Sequence, residues 1–310
     1  GLSLYLLFAM LHSAFPMILQ RMRNVEMPSW SKQIFPPLAL LLVLVPIFRL
    51  PEISLLVWPF ILLVDLIAIG AAMMMTAILP VLAVLLLTFT ATGVLILRVP
   101  ESLSGLSTSF ILLGSFSVFF VVVGVWLARK FKPGAEGEAT WSSDFALQLP
   151  VASAALPFLL LITATVRLSF PHPSPVFVMA TLLLLLLLGV ARLFRMSDLP
   201  AIGLLCLTGL EWSWHFRHFR IEWATVPLIW YLGFYLLFAI YPFLFRRHFS
   251  ESVVPFAVAA ISSIPQFYLT YRLVDAAFPN DMMGLLPAVF GIPLLLSLWG
   301  VLKMIPESSP

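Results

Sequence analysis

Long apolar runs, separated by short clusters of charge or proline, repeat along the whole 310-residue chain. Each is close to the 20 or so residues a helix needs to cross the hydrocarbon of a bilayer. The pattern predicts about eleven helices, between ten and twelve, over residues 1–19, 34–48, 53–69, 71–97, 109–128, 150–166, 175–194, 199–214, 224–244, 253–271 and 285–302. A membrane β-barrel would instead alternate apolar and polar residues in ten-residue segments. The stretch from Phe177 to Val190, with seven consecutive leucines, does not alternate. The fold class expected is therefore all-α, a polytopic transmembrane helical bundle.

Glu52 to Arg98 is too long for one crossing, so a tight turn is expected near Gly70. The purely apolar part of the 199–214 segment, Leu199 to Leu210, reaches only about 18 Å at 1.5 Å per residue. A crossing there must run past Leu210 and carry Glu211, and His215 after it, into the lipid. Residues 1–128 form a first group of about five helices, and 150–310 a second of about six. Between them, 129–149 (RKFKPGAEGEATWSSDFALQL) reads as a flexible cytoplasmic linker.

Composition agrees with the pattern: 62% hydrophobic, 10% charged, mean hydropathy +1.08. A soluble domain has about a quarter charged residues. The net charge of +3 is spread over loops and points to no nucleic-acid partner; membrane lipids, and other membrane subunits, are the partners expected. Lys and Arg divide unequally between alternate loops, eleven against six. The positive-inside rule then places the N-terminal end outside, in the inner membrane of a bacterium. The single cysteine, Cys206, excludes an intramolecular disulfide and a Cys-x-x-Cys site. No charged n-region or A-x-A site marks a signal peptide after Gly1, and both ends read as cut from something longer.

The richest polar stretch is 211–223, EWSWHFRHFRIEW. If it is helical, Glu211, His215, His218 and Glu222 fall on one stripe roughly 60° wide. Trp212, Phe216, Phe219 and Trp223 form an aromatic stripe, and Ser213, Arg217 and Arg220 a cationic one. The preferred reading is an interfacial helix: Trp212, Trp214 and Trp223 at headgroup level, and Arg217 and Arg220 meeting lipid phosphates. The alternatives are a polar gate or a metal site. The spacing E-x₃-H-x₂-H-x₃-E matches no metal motif, and no second acidic–His cluster supplies partner ligands, so no metal or cofactor is expected. His12, Asp65 and Gln266 are the remaining intramembrane polar residues. Each reads first as hydrogen-bonded inside the bundle, with Asp65 as a proton or cation ligand second.

There is no Walker A loop, no G-x-S-x-G and no H-E-x-x-H. Prolines at 46, 59, 80, 157, 242, 265 and 293 suit a mobile or cavity-lined bundle and suit static kinked helices equally. Three functions follow in order. The first is a non-enzymatic bundle that handles a lipid or amphiphile, or serves as a subunit or scaffold of a membrane complex. The second is a transporter or channel gated at Glu211 and His215. The third is a membrane enzyme using the Glu/His face of 211–222.

The segments EWSWHFRHF, PLIWYLGFYLLFAIYPFLFRRHF, PQFYLTYRLVDAAFP, MGLLPAVFGIPLLLSLW and LYLLFAMLHSAFPMILQR resemble stretches of very long bacterial inner-membrane proteins of a domain-of-unknown-function family. The resemblance covers about half the chain. It implies a bacterial inner membrane and membership of a larger or shortened relative, and it supplies no activity and no site residues.

Overall fold

The computed structural model describes positions 4, 7, 11, 15, 18, 19, 22, 34, 37, 38 and 40–42, and residues 57–75, 79–100, 102–130, 141–249, 252–278 and 281–302. The helices expected over 1–19 and 34–48 fall largely outside these residues, and His12 lies outside them altogether.

Among the described residues every regular element is helical. In chain order they are α1 (Val57–Met75), α2 (Leu79–Arg98), α3 (Leu106–Lys130), α4 (Trp141–Arg167), α5 (Ser174–Phe194), α6 (Leu199–His218), α7 (Thr225–Leu244), α8 (Val254–Ala277) and α9 (Leu285–Leu302). Six are long and apolar enough to cross a membrane: α2, α3, the Gln148–Arg167 part of α4, α5, α7 and α9. Their outward faces carry large aliphatic side chains, as at Leu185 (54% exposed) and Leu244 (69%). Water would leave such faces uncovered, whereas lipid solvates them.

Several boundaries differ from expectation. α1 runs through Gly70 to Met75. A glycine inside a helix costs only about 1 kcal/mol, and the apolar residues after it are good helix formers. The next helix begins at Leu79 with Pro80 second, where a missing N–H costs nothing. α4 begins at Trp141, so residues 141–149 of the expected linker are helical. Ala146, Leu147, Gln148 and Leu149 favour a helix, and 131–140 lie outside the described residues. α8 continues to Ala277 because Arg272 and Asp275 both point to the exposed side of its last turns.

The chain forms two compact units, Gly1–Ser153 and Ala154–Pro310, divided within α4. In the first unit α1 packs on α2 and α2 on α3. Aromatic rings fill the seam: Trp58 lies 5.9 Å from Phe116, and Phe89 lies 6.0 Å from Phe120. A Cβ on Gly124 would stand 2.8 Å from the backbone nitrogen of Pro150, so only glycine lets α3 approach α4 there. Asp65 is fully buried mid-way along α1, and Thr88 of α2 donates its hydroxyl to the carboxylate, 3.1 Å from Oδ1 and 3.2 Å from Oδ2. This is the hydrogen-bonded state expected first for Asp65.

In the second unit α8 packs against α6, α7 and α9, and α6 against α5. Phe177 is the hub, with the rings of Trp214, Trp230, Tyr231 and Phe234 5.7 to 6.1 Å from its own. Two tyrosines bridge helices with backbone acceptors: Tyr235 donates to the Phe290 carbonyl (2.8 Å) and Tyr241 to the Leu188 carbonyl (2.9 Å). Trp230 Nε1 also reaches Ser174 Oγ at 3.3 Å. With Tyr241 beside Leu188 and Trp230 beside Ser174, α5 and α7 run in the same direction. Their C-terminal ends therefore lie together.

Candidate functional site

α6 extends through Glu211 and His215 to His218, 20 residues or about 30 Å. It ends because Phe219 and Arg220 adopt extended backbone before a single 3-10 turn at Ile221–Trp223. The helical stripe assumed for 211–223 is therefore cut. Glu222 stands exposed on the 3-10 turn and does not share a face with Glu211, a correction forced by the chain turning at Phe219.

The two residues at the head of that stripe go inward. Glu211 is fully buried, and Gln266 of α8, also fully buried, donates its side-chain amide to Glu211 Oε2. His215 is buried one turn further on. Its Nδ1 lies 3.2 Å from the Tyr231 hydroxyl of α7, and Phe219 stacks on its ring at 4.8 Å. Three helices thus contribute to one polar centre: Glu211 and His215 from α6, Tyr231 from α7, Gln266 from α8. Hydrogen bonding of this kind is what a buried polar side chain requires.

The third member, His218, closes the end of α4 instead. Its Nε2 donates to the Thr165 carbonyl at 2.7 Å, and Arg217 beside it donates to the Val166 carbonyl at 2.9 Å. Both donors sit on the unsatisfied carbonyls at a helix C-terminus, where donors are needed. Arg217 is exposed, as is Arg220. Trp223 is exposed too, edge-on to His172 at 4.5 Å. Trp212 is half-buried against Tyr268, 5.4 Å away. Trp214 faces inward rather than toward lipid: it is 1% exposed and packs on Phe177, because its position on α6 adjoins the Glu211 face that the neighbouring helices cover.

A second site, not expected from the sequence, lies at the shared C-terminal ends of α5 and α7. An apolar groove of about 350 Å³ runs between these helices, walled by Leu185, Leu188, Leu237, Ile240 and Leu244, with Gly189 in its lining. It shares Gly189 and Arg192 with an adjoining cavity of about 550 Å³, lined also by Leu193, Arg195 and His248. Both volumes fall in the range of small-molecule sites, about 300–1,000 Å³. A side chain on Gly189 would meet nothing within 4 Å, so this glycine opens the space. The Arg192 guanidinium sits over the Phe245 ring, 4.4 Å from its centre, which fixes the charge at the groove mouth. Arg195 takes a left-handed conformation (φ 55°) that ends α5, its backbone N–H bonded to Ala191 O. The signal was present in sequence: the RLFR ending one helix and the FRRHF following another fall in the same set of basic loops.

Comparison with known proteins finds no matching family model, curated protein or solved structure. Functional inference therefore rests on these two places in the second unit.

Proposed function

We propose that the chain is a non-enzymatic, multi-pass protein of a bacterial inner membrane that binds an amphiphile with an anionic headgroup in the α5–α7 groove. One observation carries this reading: an apolar trough that runs directly into Arg192, Arg195 and His248. Aliphatic walls accept a hydrocarbon chain, and guanidinium groups accept a phosphate or carboxylate through paired N–H donors. Leu185, Ile240 and Leu244 of the wall are each at least half exposed, so a chain can enter sideways from the bilayer. Basic pockets between membrane helices on the cytoplasmic side suit anionic lipid headgroups, and the loop-charge rule assigns this end of α5 and α7 to the cytoplasm.

The test is lipid retention by the purified protein in neutral detergent, read by native mass spectrometry during titration with phosphatidylglycerol and with phosphatidylcholine. Gly189→Leu fills the groove without meeting a neighbour, and Arg192→Gln removes the best-anchored charge. The native protein is expected to favour phosphatidylglycerol. Both variants should weaken that binding by about 10- to 100-fold, the range for a charge-assisted contact, and Gly189→Leu should melt no lower than native. Equal retention of both lipids by all three proteins would remove this function.

A further inference from the structure

The larger space at the C-terminal ends of α5 and α7 holds more positive charge than one phosphodiester can neutralise. Arg192 and Arg195 both line it, each permanently charged, and His248 adds a third nitrogen from beyond α7. Among the described residues no acidic side chain lines it, and no carboxylate forms an ion pair with either arginine. Phe245 holds two of the three in place. The Arg192 guanidinium lies 4.4 Å from its ring centre, and the His248 ring stands edge-on at 6.4 Å. Tyr241 of the adjoining groove already donates its hydroxyl to the Leu188 carbonyl.

Arg195 occupies a position that ordinarily takes glycine. It ends α5 in the left-handed conformation (φ 55°, ψ 35°), and the Met196 N–H closes the turn on the Ala191 carbonyl at 2.9 Å. A Cβ in that conformation crowds the following carbonyl oxygen, which is why glycine is preferred there. Among the described residues, Leu103 is the other non-glycine with positive φ. Strain of this kind collects at ligand clamps. Here the strained residue also brings the second permanent charge into the cavity.

We infer that this cavity selects a lipid whose headgroup ends in a phosphate monoester, and that Arg195 is the residue that recognises its second negative charge. The inference rests on the amphiphile reading of the adjoining groove. A phosphate monoester carries a charge of about −1.5 to −2 near neutral pH, on three terminal oxygens. A phosphodiester carries a single charge on two. Arg192 lines both spaces, so it meets the phosphate where the hydrocarbon ends. Arg195 lines only the larger one, so the charge it pairs with lies further from the acyl chain. A monoester engages both guanidinium groups through paired N–H donors, whereas a diester leaves the second one unmatched. Arg246 and Arg247, which precede His248 on its 3-10 turn, line neither space.

Native mass spectrometry of the full chain in neutral detergent tests this with phosphatidic acid, a monoester, against phosphatidylglycerol of the same acyl chains. The native protein should hold phosphatidic acid at least about tenfold more tightly. Arg195→Gly should bind the two lipids alike and melt no lower than native, because glycine relieves the left-handed position. Arg247→Gln removes a neighbouring charge and should keep the native preference. Equimolar inorganic phosphate should leave the phosphatidic acid in place; displacement would assign the cavity to a free phosphate and overturn the lipid form. A native protein that holds phosphatidylglycerol as tightly as phosphatidic acid overturns this inference and leaves the amphiphile reading standing. Retention of neither lipid overturns both. An Arg195→Gly protein with the native preference, or an Arg247→Gln protein without it, overturns the role of Arg195.

Discussion

Trp214→Ala lowers the stability of the detergent-solubilised protein by about 3–5 kcal/mol, the range for emptying a large aromatic from a packed core. Trp214 is 1% exposed and lies 5.7 Å from Phe177, the ring on which four aromatics of the second unit converge. Removing the indole opens space on α6 that Phe177 of α5 cannot fill without leaving Trp230, Tyr231 and Phe234. Trp223→Ala is the matched control: Trp223 is 47% exposed and its replacement should change stability by under about 0.5 kcal/mol. Equal losses at the two tryptophans, read by denaturant titration, would show that Trp214 sits at a headgroup surface after all.

Gln266→Leu is expected to cost about 3 kcal/mol, the upper end for orphaning a buried polar group. Its amide is the hydrogen-bond donor that reaches the fully buried Glu211 carboxyl from α8. The loss comes from leaving Glu211 without that donor, not from the leucine, which suits the apolar surroundings. Glu211→Leu on the Gln266→Leu background should therefore restore at least half of the stability, since both partners are then apolar. The coupling between the two changes, obtained from the four-protein cycle, should be about 1–3 kcal/mol. Additive losses would mean that the two side chains do not depend on each other.

Apolar runs of membrane length gave the helices, because hydrocarbon imposes one length and one way to satisfy the backbone. Boundaries went astray where the signal was polar or weak. Gly70 reads as a turn but is tolerated inside α1, and WSSDFALQL reads as linker but opens α4. Glu211, His215 and Gln266 each stood out as polar residues in an apolar chain. Their meeting was not legible, since it depends on α6 packing against α8 across 55 residues of sequence. The inward packing of Trp214 was not legible from residue type: tryptophan favours the interface, yet the position lies only about 60° from Glu211 around a helix, on the side that became buried. The groove escaped notice because its parts, Gly189 with Arg192 and Arg195 on α5 and His248 beyond α7, come together only when those helices lie side by side in the same direction.

Alkaline carbonate extraction of membranes from cells expressing the chain tests the foundation of all this most directly. Six helices of membrane length with large apolar side chains on their outer faces predict that the protein stays in the pellet and is released only by detergent. Recovery in the carbonate supernatant, in a monodisperse state without detergent, would contradict a lipid-embedded bundle and every site argued from it.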